Sequence, residues 1–161
     1  MSHGFEIRSA TADDVEDIYE MICELAEFEK LRDQVLSTAE SIRTALFCEP
    51  PGTEAIVAEA DGQCVGFALF FHNFSTFLGR SGLYLEDVYV RPTHRRSGIG
   101  KALIIELAKI AKLRDCGRFE WSVLDWNENA ITFYEELGAR VLQDWRIVRL
   151  DADGIQKLAS K

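Results

Sequence analysis

Residues 84–103 constrain this chain more than any other stretch. Residues 83–90 form an apolar run broken only by Glu86 and Asp87. Such a run reads as a long strand, and Pro92 ends it by fixing its own φ and offering no amide donor. A loop follows with Arg95, Arg96 and Ser97, then Gly98 and Gly100, then a helical pattern from about residue 98 to 113. Glycines at a helix start let backbone amides approach a ligand closely. The first amides of a helix also lack partners and carry the positive end of its dipole, so the place suits a phosphate. Arg95, Arg96 and Lys101 add positive charge there. The whole turn from Arg95 to Lys101, Ser97 and Ile99 included, therefore reads as a pyrophosphate cradle.

Spacing narrows the choice of cradle. A Walker loop requires glycine six positions before Lys101 and Ser or Thr after it, and Arg95 and Ala102 fail both requirements. A dinucleotide fingerprint that starts at Gly98 requires a third glycine at position 103, which is Leu103. What remains is Arg-x-x-Gly-x-Gly, from Arg95 to Gly100, at a strand–loop–helix junction.

The surrounding chain predicts an α/β fold. Residues 5–8 alternate and read as a first strand. Thr11 and Asp14 resemble a capping box, and Val15, Ile18, Ile22, Leu25 and Ala26 share one helical face behind it. A second helix starts near Ser37 to Glu40 and stops before Pro50-Pro51-Gly52. Residues 54–60 and 64–71, joined by Asp61-Gly62, read as a hairpin. Residues 119–124 read as a strand. Ala130, Phe133, Tyr134 and Leu137 stripe another helix, with Gly138 at its C′ position. Residues 147–150 read as a closing strand. The order β-α-α-β-β-β-α-β-α-β predicts a mixed sheet with helices on both faces, in one domain over residues 1–161.

Composition excludes several classes. Lys and Arg number 18 against 27 Asp and Glu, a net charge of −9. No basic footprint for nucleic acid is present in the chain as a whole. The longest apolar runs fall far short of the roughly 20 residues that span a bilayer. No basic stretch followed by an apolar one opens the chain, which argues against secretion. Cys23, Cys48, Cys64 and Cys116 contain no CxxC spacing, so they read as reduced thiols in a cytoplasmic protein. His72 and His94 have no partner at metal-ligand spacing, and no metal is expected.

The Arg95 to Gly100 motif in its strand–loop–helix setting resembles the acetyl-CoA loop of the GNAT acetyltransferases. The likeness covers nearly the whole chain. Residues 23–35, 84–90, 123–127 and 134–139 resemble the diamine acetyltransferase family, and within it the branch named for thialysine Nε-acetylation. Ser75-Thr76-Phe77 is nearer that branch's Ser-Thr-Trp than the Asp-Pro-Trp of the spermidine/spermine branch. The missing acid argues against long polyamines. The resemblance implies the acyl-CoA N-acyltransferase fold with a mostly antiparallel sheet, acetyl-CoA as co-substrate, a small primary amine as substrate and a homodimer.

It also implies roles. Tyr134 is the acid that protonates the CoA sulfur. The backbone of Val88, Tyr89 and Val90 pairs with pantetheine as an added strand. Asn127, Glu128, Asn129 and Ala130 form a second CoA-contacting turn, with Phe133 packed beside it. Phe28 and Glu29 match a substrate-binding pair. Glu120, Trp121 and Ser122 line the cleft, and Asp144 is a more distant acidic contact. From the residues themselves, Glu86 inside an apolar strand reads as a buried carboxylate, amine ligand and base. By strand alternation Asp87 points to the opposite face, as a structural or supporting acid. Two other readings compete. One is acetylation of a protein lysine or N-terminus. The other is an acyl-CoA sensor without catalysis, against which the presence of both Glu86 and Tyr134 argues.

Overall fold

The computed structural model describes residues 4–161, in two compact units that meet between Ser122 and Val123. The first unit carries β1 (Glu6–Ser9), α1 (Val15–Phe28), α2 (Ala39–Phe47), β2 (Glu54–Ala60), β3 (Gln63–Ser75), β4 (Arg80–Val90), α3 (Ile99–Leu113) and β5 (Arg118–Trp121). These strands form one sheet in the order β1-β2-β3-β4-β5. The first four pair antiparallel; β5 pairs parallel to β4 after the α3 crossover. The mixed sheet expected from the sequence is present.

Local chemistry explains the framework. Asp61 and Gly62 both adopt positive φ, 50° and 75°, as a two-residue type I′ hairpin requires. Thr11 and Asp14 do form a capping box, but it closes a single 3-10 turn, Ala12–Asp14, that feeds α1. The Asp14 carboxylate also receives both Arg8 terminal nitrogens, at 2.7 and 2.9 Å. This hydrogen bonding holds the Asp14 carboxyl below the usual carboxylate range. Thr38 caps α2 by accepting from the Ser41 amide at 3.1 Å.

Helices cover both faces. Ile18, Met21 and Leu46 pack with Ala55, Val57, Phe67, Leu69 and Tyr89 on the α1–α2 side. Burial of a side chain such as Phe67 contributes about 1.5–3 kcal/mol. On the other side α3 buries Ile99, Leu103 and Leu107. Gly66 lets it approach: a Cβ there would lie 3.1 Å from the Tyr89 carbonyl and 3.3 Å from the Ile99 side chain.

The second unit holds α4 (Glu128–Glu136) and α5 (Ala152–Ala159). Asn127 caps α4 by accepting from the Ala130 amide at 3.3 Å. Gly138, at φ 93°, ends it as expected. Its amide bonds the Glu135 carbonyl and the Ala139 amide bonds the Tyr134 carbonyl, which is a Schellman motif.

Three expectations need correction. The strand expected over 119–124 runs from Arg118 to Trp121. Residues 147–150 form no strand; their β-like pattern finds no ladder partner among the described residues, and an unpaired strand has no reason to stay extended. Helix α5, capped by the Asp151 carboxylate on the Gly154 amide at 2.8 Å, was not anticipated. Among the described residues no helix is long and apolar enough to cross a membrane.

Candidate active site

The site grows from the place where β4 and β5 part. Their ladder runs from Gly82 opposite Arg118 to Leu85 opposite Trp121 and ends there. β4 continues to Val90, so over 86–90 its β5 side has no ladder partner among the described residues. A side-chain bond closes the ladder's end: the Tyr84 and Ser122 hydroxyls lie 2.9 Å apart. The Tyr84 ring packs on Phe71 at 5.1 Å between centroids.

At the same point β4 carries one extra residue. Leu85 lies opposite Phe70 and Asp87 opposite Leu69, so Glu86 is a bulge with no partner on β3. A single insertion reverses the alternation beyond it. Directly paired residues share a face, so Asp87 lies with Leu69 on the α1 side. The sequence reading is corrected here. Glu86, expected to be buried, is exposed, while Asp87 is half-buried. Burial, then the charges of Glu86 and Glu29, pushes the Asp87 carboxyl up to about 6. Burial also raises the Glu29 carboxyl. The charges of Glu86, at the bulge of β4, and of Glu29, at the end of α1, thus both act on Asp87.

Beyond β4 the chain makes a 3-10 turn, Pro92–His94, and enters the loop. Arg96 takes a left-handed conformation, φ 63°, which costs a non-glycine residue about 1 kcal/mol or more. The Ser97 hydroxyl donates to the His94 carbonyl. Gly98, at φ 86°, is the N-cap of α3, and its carbonyl accepts the helix's first bond from the Ala102 amide at 2.9 Å. The amides of Ile99, Gly100 and Lys101 precede that bond and have no intrahelical acceptor.

The two glycines answer to different needs. Gly98 needs its positive φ. Gly100 does not, and a Cβ there would meet nothing nearer than a Val90 methyl at 3.9 Å. The packing leaves room at Gly100, as a ligand lying against these amides requires. The side chains of Arg96 and Lys101 are exposed beside it. Arg95 differs: its Nε donates to the Val90 carbonyl at 2.9 Å, and its guanidinium lies over the Tyr89 and Phe28 rings.

The remaining expected residues divide between the units. Phe28 is the last residue of α1 and Glu29 its C-cap. Glu120 on β5 pairs with Arg118 at 3.3 Å. The Trp121 ring lies 4.8 Å from that of Phe119. In the second unit Glu128, Asn129, Ala130, Phe133 and Tyr134 all lie on α4, and the Phe133 and Tyr134 rings are 5.4 Å apart. Asp144 lies in a turn beyond that helix. The fold thus gathers Phe28, Glu29, Glu86 and the Arg95 loop in the first unit and carries Tyr134 on the second. Sequence reasoning did not find the Tyr84–Ser122 bond at the end of the ladder or the half-burial of Asp87. Two adjacent acids in an apolar strand were visible, but the bulge at Glu86 that sets which of them is buried leaves no sequence mark. No cluster that could hold a metal occurs among the described residues.

Comparison with known proteins bears on this arrangement. The sequence profile of the Acetyltransferase (GNAT) family matches residues 15–139, across both units. The chain is 40% identical to a thialysine N-epsilon-acetyltransferase of Sus scrofa, over 96% of this chain and 97% of that one. It is 32% identical to an L-ornithine N5-acetyltransferase of Arabidopsis thaliana, over 94% of this chain and 86% of that one. Among solved structures, an integron cassette protein of V. cholerae superposes with a TM-score of 0.81 at 25% identity, covering 98% and 99% of the two chains. The split sheet with its glycine loop is therefore the GNAT fold, and the chain belongs to the GNAT family of acetyltransferases, as an acyltransferase of the N-acetyltransferase type.

Proposed function

We propose that this protein moves the acetyl group of acetyl-CoA to a small primary amine, thialysine- or lysine-like, by direct attack in a ternary complex. The observation that carries the reading is the parting of β4 from β5 at Leu85 and Trp121, followed by a helix start whose glycines leave open space. The free edge over 86–90 suits an extended pantetheine arm pairing with the backbone of Val88, Tyr89 and Val90. The amides at the start of α3, with Arg96 and Lys101, suit the pyrophosphate. Asn127, Glu128, Asn129, Ala130 and Phe133 complete the CoA contacts in this reading.

The chemistry sets the other roles. A lysine-like amine has a pKa near 10.4, so only about one molecule in a few thousand is neutral at pH 7. Glu29, Glu86 and Asp87 attract the ammonium, and Glu86 takes its proton, directly or through water. The amine nitrogen then bonds to the thioester carbonyl carbon as the carbon–sulfur bond breaks. Tyr134 supplies a proton to the departing thiolate. Phe28, Glu120, Trp121, Ser122 and Asp144 shape the amine's surroundings. The relatives named for thialysine and ornithine support a substrate with a terminal amine on an amino-acid chain.

Arg96→Glu or Gly100→Asp sets charge or bulk against the pyrophosphate. Calorimetry should show acetyl-CoA binding at least about tenfold weaker in each. Unchanged affinity in both removes the cradle. We further propose a cytoplasmic homodimer. Trp145, Ile147 and Val148 are 78%, 70% and 94% exposed, an apolar segment that a two-fold contact would cover. Light scattering at micromolar concentration should give twice the chain mass; a monomer's mass refutes it.

A further inference from the structure

We propose that Arg95 is a positioning residue that couples the donor loop to the amine side, rather than a ligand of the pyrophosphate. The inference rests on the reading of the loop as the acetyl-CoA cradle. Arg95 lies within the Arg-x-x-Gly-x-Gly motif, yet its side chain turns back from the glycines. Nε is bound to the Val90 carbonyl, the last residue of β4. The guanidinium carbon lies 5.2 Å from the Tyr89 ring centre and 5.7 Å from that of Phe28. A planar cation that lies over both rings holds each of them relative to itself.

Both rings lead toward α1. Burial raises the Tyr89 phenol, and the carboxylate of Glu24 on α1 raises it further. Phe28 ends α1 and is followed by Glu29, whose charge acts on Asp87. A second arginine anchors the same edge. Arg91 Nη2 donates to Asp17 at 3.1 Å and to Glu20 at 3.0 Å, and its Nε lies 3.6 Å from Glu24. Arg91 therefore fixes the end of β4 against the middle of α1, and Arg95 carries the link to its C-terminus. A donor molecule that orders the 95–101 loop thereby orders Phe28 and Glu29. Acetyl-CoA binding should sharpen the amine site, with no contact between the two ligands required.

Arg95→Met keeps the aliphatic stem and removes the cation and the Nε bond. The amine KM should rise about tenfold, while the calorimetric Kd for acetyl-CoA stays within about twofold. Arg95→Lys restores a cation over Tyr89 and should recover part of the KM. Phe28→Leu breaks the stack from the other end, and the double variant should be little worse than either single one. A tenfold loss of acetyl-CoA affinity in Arg95→Met with the amine KM unchanged would make Arg95 a phosphate ligand and overturn the proposal. Multiplying effects of Arg95→Met and Phe28→Leu would overturn it as well. Failure of the unaltered protein to bind acetyl-CoA at all would instead remove the cradle reading itself.

Discussion

The two units of this chain treat their apolar residues differently. Among the described residues, every buried hydrophobic side chain lies between Val15 and Ala111, in the first unit. α4 and α5 bury none, and Trp145, Ile147, Val148, Ile155 and Leu158 are all exposed. The first unit thus closes a core on both faces of its sheet by itself. The second consists of capped helices whose apolar residues are at most half-buried. In the proposed mechanism, holding the catalytic frame and supplying a proton from Tyr134 are therefore separable tasks. The bulge, the acidic trio and the loop depend on the packed sheet, whereas Tyr134 depends on a helix with little core of its own.

The largest effect should come from breaking the packed side of that contrast. Phe67→Ala should cost about 3–5 kcal/mol in denaturant unfolding, whereas Leu158→Ala should stay within about 0.5 kcal/mol. Equal losses would erase the distinction between the units. Next comes the division of labour. Tyr134→Phe removes only a hydroxyl and should lower kcat about 10²-fold while acetyl-CoA affinity holds. Full turnover in that variant would leave Tyr134 as packing alone.

The smallest effect sharpens the electrostatics of the first unit. Asp87 titrates at about 6 in the fold, above the ordinary aspartate value of 3.8. The folded chain therefore holds this proton more tightly than the unfolded one. The contribution of Asp87 to stability falls as pH rises from roughly 4 to 6, and the deficit persists above. Asp87→Asn should gain about 1–2 kcal/mol at pH 7 and nothing below pH 4, read from unfolding at both values. The same variant should lose activity, since the ionised carboxylate helps attract the ammonium. A gain over the unaltered protein no larger at pH 7 than at pH 4 would show that Asp87 pays no burial cost.

Much of the frame was legible because its signals are local. The Asp61-Gly62 turn, the Thr38 cap, Gly138 and the run from β4 through Pro92 into α3 each depend on a few adjacent residues. What escaped depends on pairing. Alternation cannot register the extra residue at Glu86, because the bulge exists only relative to β3. Residues 147–150 carry a strand-like pattern that nothing among the described residues pairs with. α5 offered too few apolar positions, chiefly Ile155 and Leu158, to outweigh its polar residues. The family resemblance filled part of the site, whereas the faces of Glu86 and Asp87 were read from strand alternation, which is the rule that fails at a bulge.

The single unpaired residue in β4 also governs which length changes the enzyme could tolerate. Leu85 and Asp87 already face consecutive residues of β3, Phe70 and Leu69. Loss of Glu86 would leave an uninterrupted ladder with Asp87 still on its present side. The sheet would be more regular, and the strand would lose the kink that accompanies its departure from β5. Loss of Asp87 would instead leave Glu86 to take the place opposite Leu69, with the longer side chain on the α1 side. Neighbouring one-residue deletions that look alike in the sequence would therefore have opposite meanings: one trades the opening for a better sheet, and the other exchanges which carboxylate is held inside it.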